Sequence, residues 1–172
     1  MEKAKQKIAL SYIAGCFDSD GSFSILRSFT RNKRNNKKTV TWSPWIQIAQ
    51  IDSKAINFIK HHLQYYNSYS TQIKNGGRKF YRLIFCNKKA YLVARQLIPY
   101  LKIKQEQAKV LLKLEPMLNQ RPKIKIKCKK TNKYGTFDSI GYRVSKSQIK
   151  ERDNLIKRVR ILNGTWNRRK TS

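Results

Sequence analysis

Two carboxylates stand two residues apart at the end of an apolar run, Tyr12-Ile13-Ala14-Gly15-Cys16-Phe17-Asp18-Ser19-Asp20-Gly21. From Ile8 to Phe17 only Ser11 is plainly polar, so a helix here is apolar on every side and must be covered on every side. One face belongs against the chain's own core and another against a second helix; Ala14 and Gly15 let two helix backbones come close. Asp18 and Asp20 then sit at the carboxyl end, where the helix dipole disfavours negative charge by roughly 0.3–1 kcal/mol each. Acids in that position want a cation, and carboxylate oxygens suit a hard divalent one. Gly21 is the expected C-cap, taking the left-handed conformation that stops a helix.

Nitrogen and sulfur chemistry finds little support. Cys16, Cys86 and Cys128 are an odd number at wide, unpatterned spacing, which builds neither a disulfide framework nor a Cys-x-x-Cys zinc site. His61 and His62 are adjacent, so on a helix they point in different directions. The formal charge over 172 residues is +30, from 39 Lys and Arg against 9 Asp and Glu. Self-repulsion on that scale calls for a polyanionic partner, DNA or RNA first. No apolar stretch approaches the roughly 20 residues that span a bilayer, and the amino terminus leads into the acidic-ended helix instead of a signal peptide. A soluble, intracellular protein of the cytoplasm, nucleoid or an organelle is expected, with no membrane partner.

The elements that must position the acids follow from periodicity. Phe23, Ile25 and Phe29 alternate with Ser22, Ser24, Ser28 and Thr30 in a half-buried strand. A basic loop over 31–38 leads to a second strand over 39–51. Val40, Trp42, Ile46 and Ile48 line one of its faces, and Pro44 argues for an edge position or a bulge. Asp52 caps a helix over 53–65. Strands over 68–74 and 78–86 join through Asn75-Gly76-Gly77; a helix capped by Asn87 follows, then another over 102–114 stopped by Pro116. This order predicts an α+β fold, αββαββα, with a curved antiparallel sheet covered by helices on one face. The core occupies 1–118. A basic loop or arm is expected over 119–144, a helix over 145–163 opened by a Ser145/Gln148 capping box, and a basic, disordered tail over 164–172.

The uncovered sheet face would carry Ser24, Leu26, Ser28, Thr41, Ser43, Trp45, Gln47, Ser70, Gln72, Lys74, Arg78 and Arg82, flanked by Arg31, Lys33 and Arg34 of the loop. No acid occurs between Gly21 and Ile51 or between Ser53 and Gln105, whereas ordinary solvated faces mix both signs. Such a face suits the DNA major groove, where Arg and Lys read guanine and Gln reads adenine.

The stretch Ile13-Ala14-Gly15-Cys16-Phe17-Asp18-Ser19-Asp20-Gly21 closely resembles the signature of the LAGLIDADG homing endonucleases. The replacements are conservative: Ile13 for the first leucine, Cys16 and Phe17 for the central apolar pair, Ser19 between the acids. A second local match is Leu101-Lys102-Ile103-Lys104-Gln105-Glu106-Gln107-Ala108, and the resemblance covers about residues 8–118. With a single motif, it implies a homodimer joined through the motif helix, with Ile13, Ala14, Gly15, Phe17 and Asp18 at the interface. It further implies Asp20 as the catalytic carboxylate, binding Mg²⁺ or Mn²⁺ jointly with DNA phosphates. Gln50 would order water, Lys104 would stabilise charge or polarise water, and Lys54 would stand in the outer shell. The implied activity is hydrolysis of both strands of a long, pseudo-palindromic double-stranded site, as in intron homing. Two alternatives remain open from sequence: an intron RNA-binding maturase on the same fold, and a DNA-binding regulator without catalysis.

Overall fold

In the computed structural model, which describes residues 2–31, 38–63, 66–73, 79–119, 124–132 and 135–164, helix α1 (Glu2–Asp20) runs directly into strand β1 (Gly21–Arg31). Gly21 is therefore the first strand residue and not a left-handed cap; the only left-handed glycine among the described residues is Gly164. Close packing is what demands glycine here. A Cβ at Gly21 would meet Phe17 at 2.5 Å from Cδ1, 2.6 Å from the carbonyl oxygen and 2.8 Å from Cα.

Strand β2 (Lys38–Gln50) pairs antiparallel with β1 in unbroken register from Gly21↔Ile48 to Arg31↔Lys38, so Pro44 makes no bulge. Strand β4 (Lys79–Cys86) lies on the other side of β2 and pairs with it only from Trp45 onward. Pro44 thus sits just past the end of that ladder. Its carbonyl accepts from the Asn87 N–H at 3.3 Å on that side, and a strand residue's nitrogen points the same way as its carbonyl. The missing N–H therefore faces the side without a strand partner, as an edge position requires. Strand β3 (Ser68–Ile73) completes the sheet in the order β1-β2-β4-β3.

Helices α2 (Ser53–His62), α3 (Lys88–Leu97) and α4 (Gln105–Asn119) complete the core unit. Asp52 caps α2 as expected, accepting from the Lys54 N–H at 2.7 Å. Asn87 does not cap α3 with its side chain; it takes φ 55° and turns the chain between β4 and the helix. Pro116 does not stop α4, which continues to Asn119. The core gathers Ile13, Ala14 and Phe17 of α1, Phe23, Ile46, Ile48, Leu83 and Phe85 of the sheet, and Ile56, Ile59 and Leu97 of the helices. Each large side chain so buried contributes about 1.5–3 kcal/mol. Phe29 departs from the alternation expected of it: it is 63% exposed, with the Arg27 guanidinium 4.9 Å from its ring centre.

The carboxyl-terminal third is more structured than a basic loop or arm. Strands β5 (Ile124–Asn132) and β6 (Gly135–Arg143) form an antiparallel hairpin. Helix α5 (Lys146–Leu162) opens with both halves of the Ser145/Gln148 capping box. It packs on α4 and β1, where Ile156 and Val159 join Ile25, Trp42, Val110 and Leu114 in a second apolar cluster. Residues 165–172 of the expected tail lie outside the described residues. The outcome is the expected α+β architecture, one four-stranded antiparallel sheet with helices on one face.

Candidate nucleic-acid interface and cleavage site

Asp20 ends α1 and Gln50 ends β2, and both lie where β1 begins. The Gln50 side-chain amide donates to Asp20 Oδ2 at 2.7 Å. That contact joins two residues far apart in sequence and leaves the carboxylate exposed at the end of the sheet.

The two acids divide their work sharply. Asp18 accepts from the backbone N–H groups of Lys102 (2.7 Å), Ile103 (3.2 Å) and Lys104 (2.8 Å), so its carboxylate is committed to the segment that opens α4. Lys104 returns the contact. Its Nζ donates to the carbonyls of Phe17 (3.0 Å), Ser19 (2.9 Å) and Gly21 (2.7 Å). These carbonyls close α1 and flank Asp20, and the ammonium supplies the cation that the negative end of the helix dipole wants. Burial pushes Lys104 below the usual lysine value, opposed by Asp18 and Asp20. With all three protons on backbone oxygens, Lys104 holds the backbone on either side of Asp20 and leaves no free donor. Lys54 stands apart: it is exposed at the start of α2 and lines a groove against α1.

Register brings most of the expected reading residues to one face. Ser24 pairs with Trp45, Leu26 with Ser43 and Ser28 with Thr41; Gln47 pairs with Ile84, and Ser70 with Arg82. Gln72 holds the matching ladder position opposite Phe80. Arg31 closes β1 opposite Lys38, while Lys33, Arg34, Lys74 and Arg78 lie outside the described residues. Several side chains are pre-oriented, with Ser28 and Thr41 hydroxyls 2.7 Å apart and Trp45 Nε1 donating to Gln47 Oε1 at 3.3 Å. The same register also brings Ser22, Ala49, Ser68, Phe80, Ile84 and Cys86 to this face, none of them among the reading residues expected from sequence. Continuing the period of two from Arg82 would have found three of them.

The fold has solved counterparts. The homing endonuclease I-CvuI, in complex with its target in the presence of Ca, matches with a TM-score of 0.62 at 16% identity over 92% of this chain and 83% of that one. The archaeal intron-encoded homing endonuclease I-Vdi141I, complexed with DNA, matches with a TM-score of 0.60 at 18% identity over 96% of this chain and 94% of that one. The chain has the LAGLIDADG homing endonuclease fold. No protein-family model matches the sequence, and no curated protein matches it.

Within the LAGLIDADG fold the motif helix presents two faces, and the structure corrects which residues lie on the open one. Ile13, Ala14 and Phe17 are fully buried in the chain's own core, so they cannot face a partner, and Asp18 is spent on α4. The open face instead carries Ile8, Ser11, Tyr12, Gly15 and Ser19 at helical spacing, with Ile8 71% and Tyr12 51% exposed. Nothing lies within 4 Å of where a Gly15 Cβ would stand. Among the described residues no three His, Cys, Asp or Glu side chains converge as a metal cage. One exposed carboxylate with an amide beside it still fits a hard cation that keeps water and phosphate as its other ligands.

Proposed function

We propose that the chain is a site-specific DNA endonuclease that dimerises through the open face of α1, reads a long duplex site with its sheet and hydrolyses both strands. The observation that carries this reading is the Asp20–Gln50 contact at the end of an acid-free sheet face. The neighbouring acid Asp18 is taken up by three backbone N–H groups. Asp20 is left open to solvent and supported by an amide instead. Bound there with phosphate oxygens, Mg²⁺ or Mn²⁺ would activate water and neutralise charge at phosphorus.

The chain's own residues have distinct parts in this scheme. Asp20 offers the ligand oxygens, Gln50 fixes one of them and can order a nearby water, and Lys104 with Asp18 locks the backbone on which Asp20 sits. One chain offers one such carboxylate, so two strands need two chains, and Gly15, on the open face with the exposed Ile8 and Tyr12, lets two α1 helices approach closely. The DNA-bound homing endonucleases of the same fold support the substrate class.

The test is incubation of the purified protein with a randomised duplex library and Mg²⁺. A single sequence cut in both strands, and no cutting in EDTA, is expected. Sequence-selective duplex binding without cutting across Mg²⁺, Mn²⁺ and Ca²⁺ would make the chain a regulator and overturn the endonuclease reading.

A further inference from the structure

The β1–β2 ribbon extends beyond the sheet proper, because β4 pairs with β2 only from Trp45 toward Gln50. Residues 26–31 and 38–43 therefore have no third strand beside them on the β2 side. A two-stranded ribbon is free to twist, yet Leu26, Ser28, Thr41 and Ser43 belong to this outer part. Something must fix it if those positions are to read bases.

The structure assigns that task to Asp153 of α5, as a positioning residue for the outer reading ribbon. One carboxylate holds both strands: Oδ1 accepts from Trp42 Nε1 at 3.0 Å, and Oδ2 meets Arg27 Nη1 at 3.2 Å. Arg27 and Trp42 are directly opposite each other in the ladder, so Asp153 bridges a single cross-strand pair from behind. The two neighbouring ladder steps, Leu26 with Ser43 and Ser28 with Thr41, face the other side of the ribbon. Arg152 completes the clamp, its guanidinium 5.0 Å from the Trp42 ring centre and its Nη2 donating to the Met117 carbonyl at 2.6 Å. Behind the contact Trp42 packs with Ile156 and Val159 of α5, while Arg27 and Asp153 stay partly exposed. With 9 acids against 39 basic residues, an acid buttressing the back of a DNA-facing ribbon reduces affinity unless it does something else, and ordering the ribbon is what its two contacts do.

The inference rests on the DNA-reading function proposed above, and its test separates the two. Full-length wild type, Asp153→Ala and Asp153→Asn are each taken through library selection for binding and, separately, for cleavage. Ile59→Val, in the other core, serves as the control for general destabilisation, with the melting temperature of every variant measured alongside. Wild type should discriminate by about 5- to 150-fold at each base pair read. Asp153→Ala should lose most of that discrimination at the distal positions of each half-site, read by Leu26, Ser28, Thr41 and Ser43, while the central positions stay within about 2-fold of wild type. Asp153→Asn keeps an oxygen for Trp42 but loses the negative charge that meets Arg27, so it should fall between wild type and Asp153→Ala. It also carries the comparison if Asp153→Ala does not fold. Loss spread evenly over all positions, or a distal loss equalled by Ile59→Val, would overturn the proposal. If neither wild type nor any variant cuts DNA, the endonuclease reading fails, and the binding selection still decides on Asp153.

Discussion

Replacing Lys104 with methionine keeps an unbranched stem as far as Cε and removes the ammonium that joins the end of α1 to the start of α4. Three carbonyls lose a charged donor at 2.7–3.0 Å. Hydrogen bonds to charged groups contribute about 1.5–3 kcal/mol, and a cation at a helix carboxyl end about 0.3–1 kcal/mol. Lys104 is only part-buried, so water can replace some of what is lost, and the low end, about 2 kcal/mol, is the working figure. With a urea dependence of about 1–3 kcal/mol per molar, the unfolding midpoint should fall by about 1 M. Lys102→Met removes an exposed ammonium two residues away and should stay within about 0.5 kcal/mol of wild type. Cleavage by Lys104→Met should drop about 100-fold, because freeing the carbonyls either side of Asp20 lets its carboxylate wander, while duplex binding changes little. The pH dependence is diagnostic. Burial lowers Lys104 below the usual lysine value, so between the lowered and ordinary values the unfolded chain binds the extra proton and stability rises with pH. Lys104→Met lacks that contribution, and the gap between it and wild type should widen over that alkaline window. Equal midpoints for Lys104→Met and Lys102→Met would refute the clamp.

Two glycine positions give opposite outcomes. Gly21→Ala pushes a Cβ into Phe17 backbone atoms at 2.6 and 2.8 Å and should cost about 1–3 kcal/mol in thermal or denaturant unfolding. Gly15→Leu has open space around it and relieves a helical glycine, so the monomer should keep or gain up to about 1 kcal/mol. The same variant should sediment as a monomer and lose double-strand cutting; a monomeric Gly15→Leu that still cuts both strands would refute the dimer. Asp18→Ala strips the acceptor from three N–H groups. It should destabilise by about 1–3 kcal/mol, measured by denaturant unfolding, and lower cleavage in step with Lys104→Met.

Much of this was legible because the sheet side of the molecule is written with a period of two. Alternation from Phe23 and from Val40 separated the core side of the sheet from its open side, and the register then follows without a bulge. Asp52 and Ser145 announced their helices through local hydrogen bonds that depend on few neighbours. The motif helix was harder, because a helix apolar all round carries no stripe to say which side is inward. Ile13, Ala14 and Phe17 went to the core and Ile8, Tyr12 and Gly15 to the open face, and only the packing decides that. Lys104 was found by its position relative to the motif, yet its role as a clamp depends on where three carbonyls end up. Asp153 left no local signal at all, since its partners Arg27 and Trp42 lie more than a hundred residues earlier in the chain.

The proposed dependence of cleavage on the Asp20 carboxylate is put to the test by Asp20→Asn. The substitution keeps an oxygen to accept from Gln50 and removes the charge a divalent cation needs. Single-turnover cleavage of the selected duplex should fall by at least about 100-fold, with duplex affinity and melting temperature near those of wild type. Cutting by Asp20→Asn at a rate close to wild type would contradict the account.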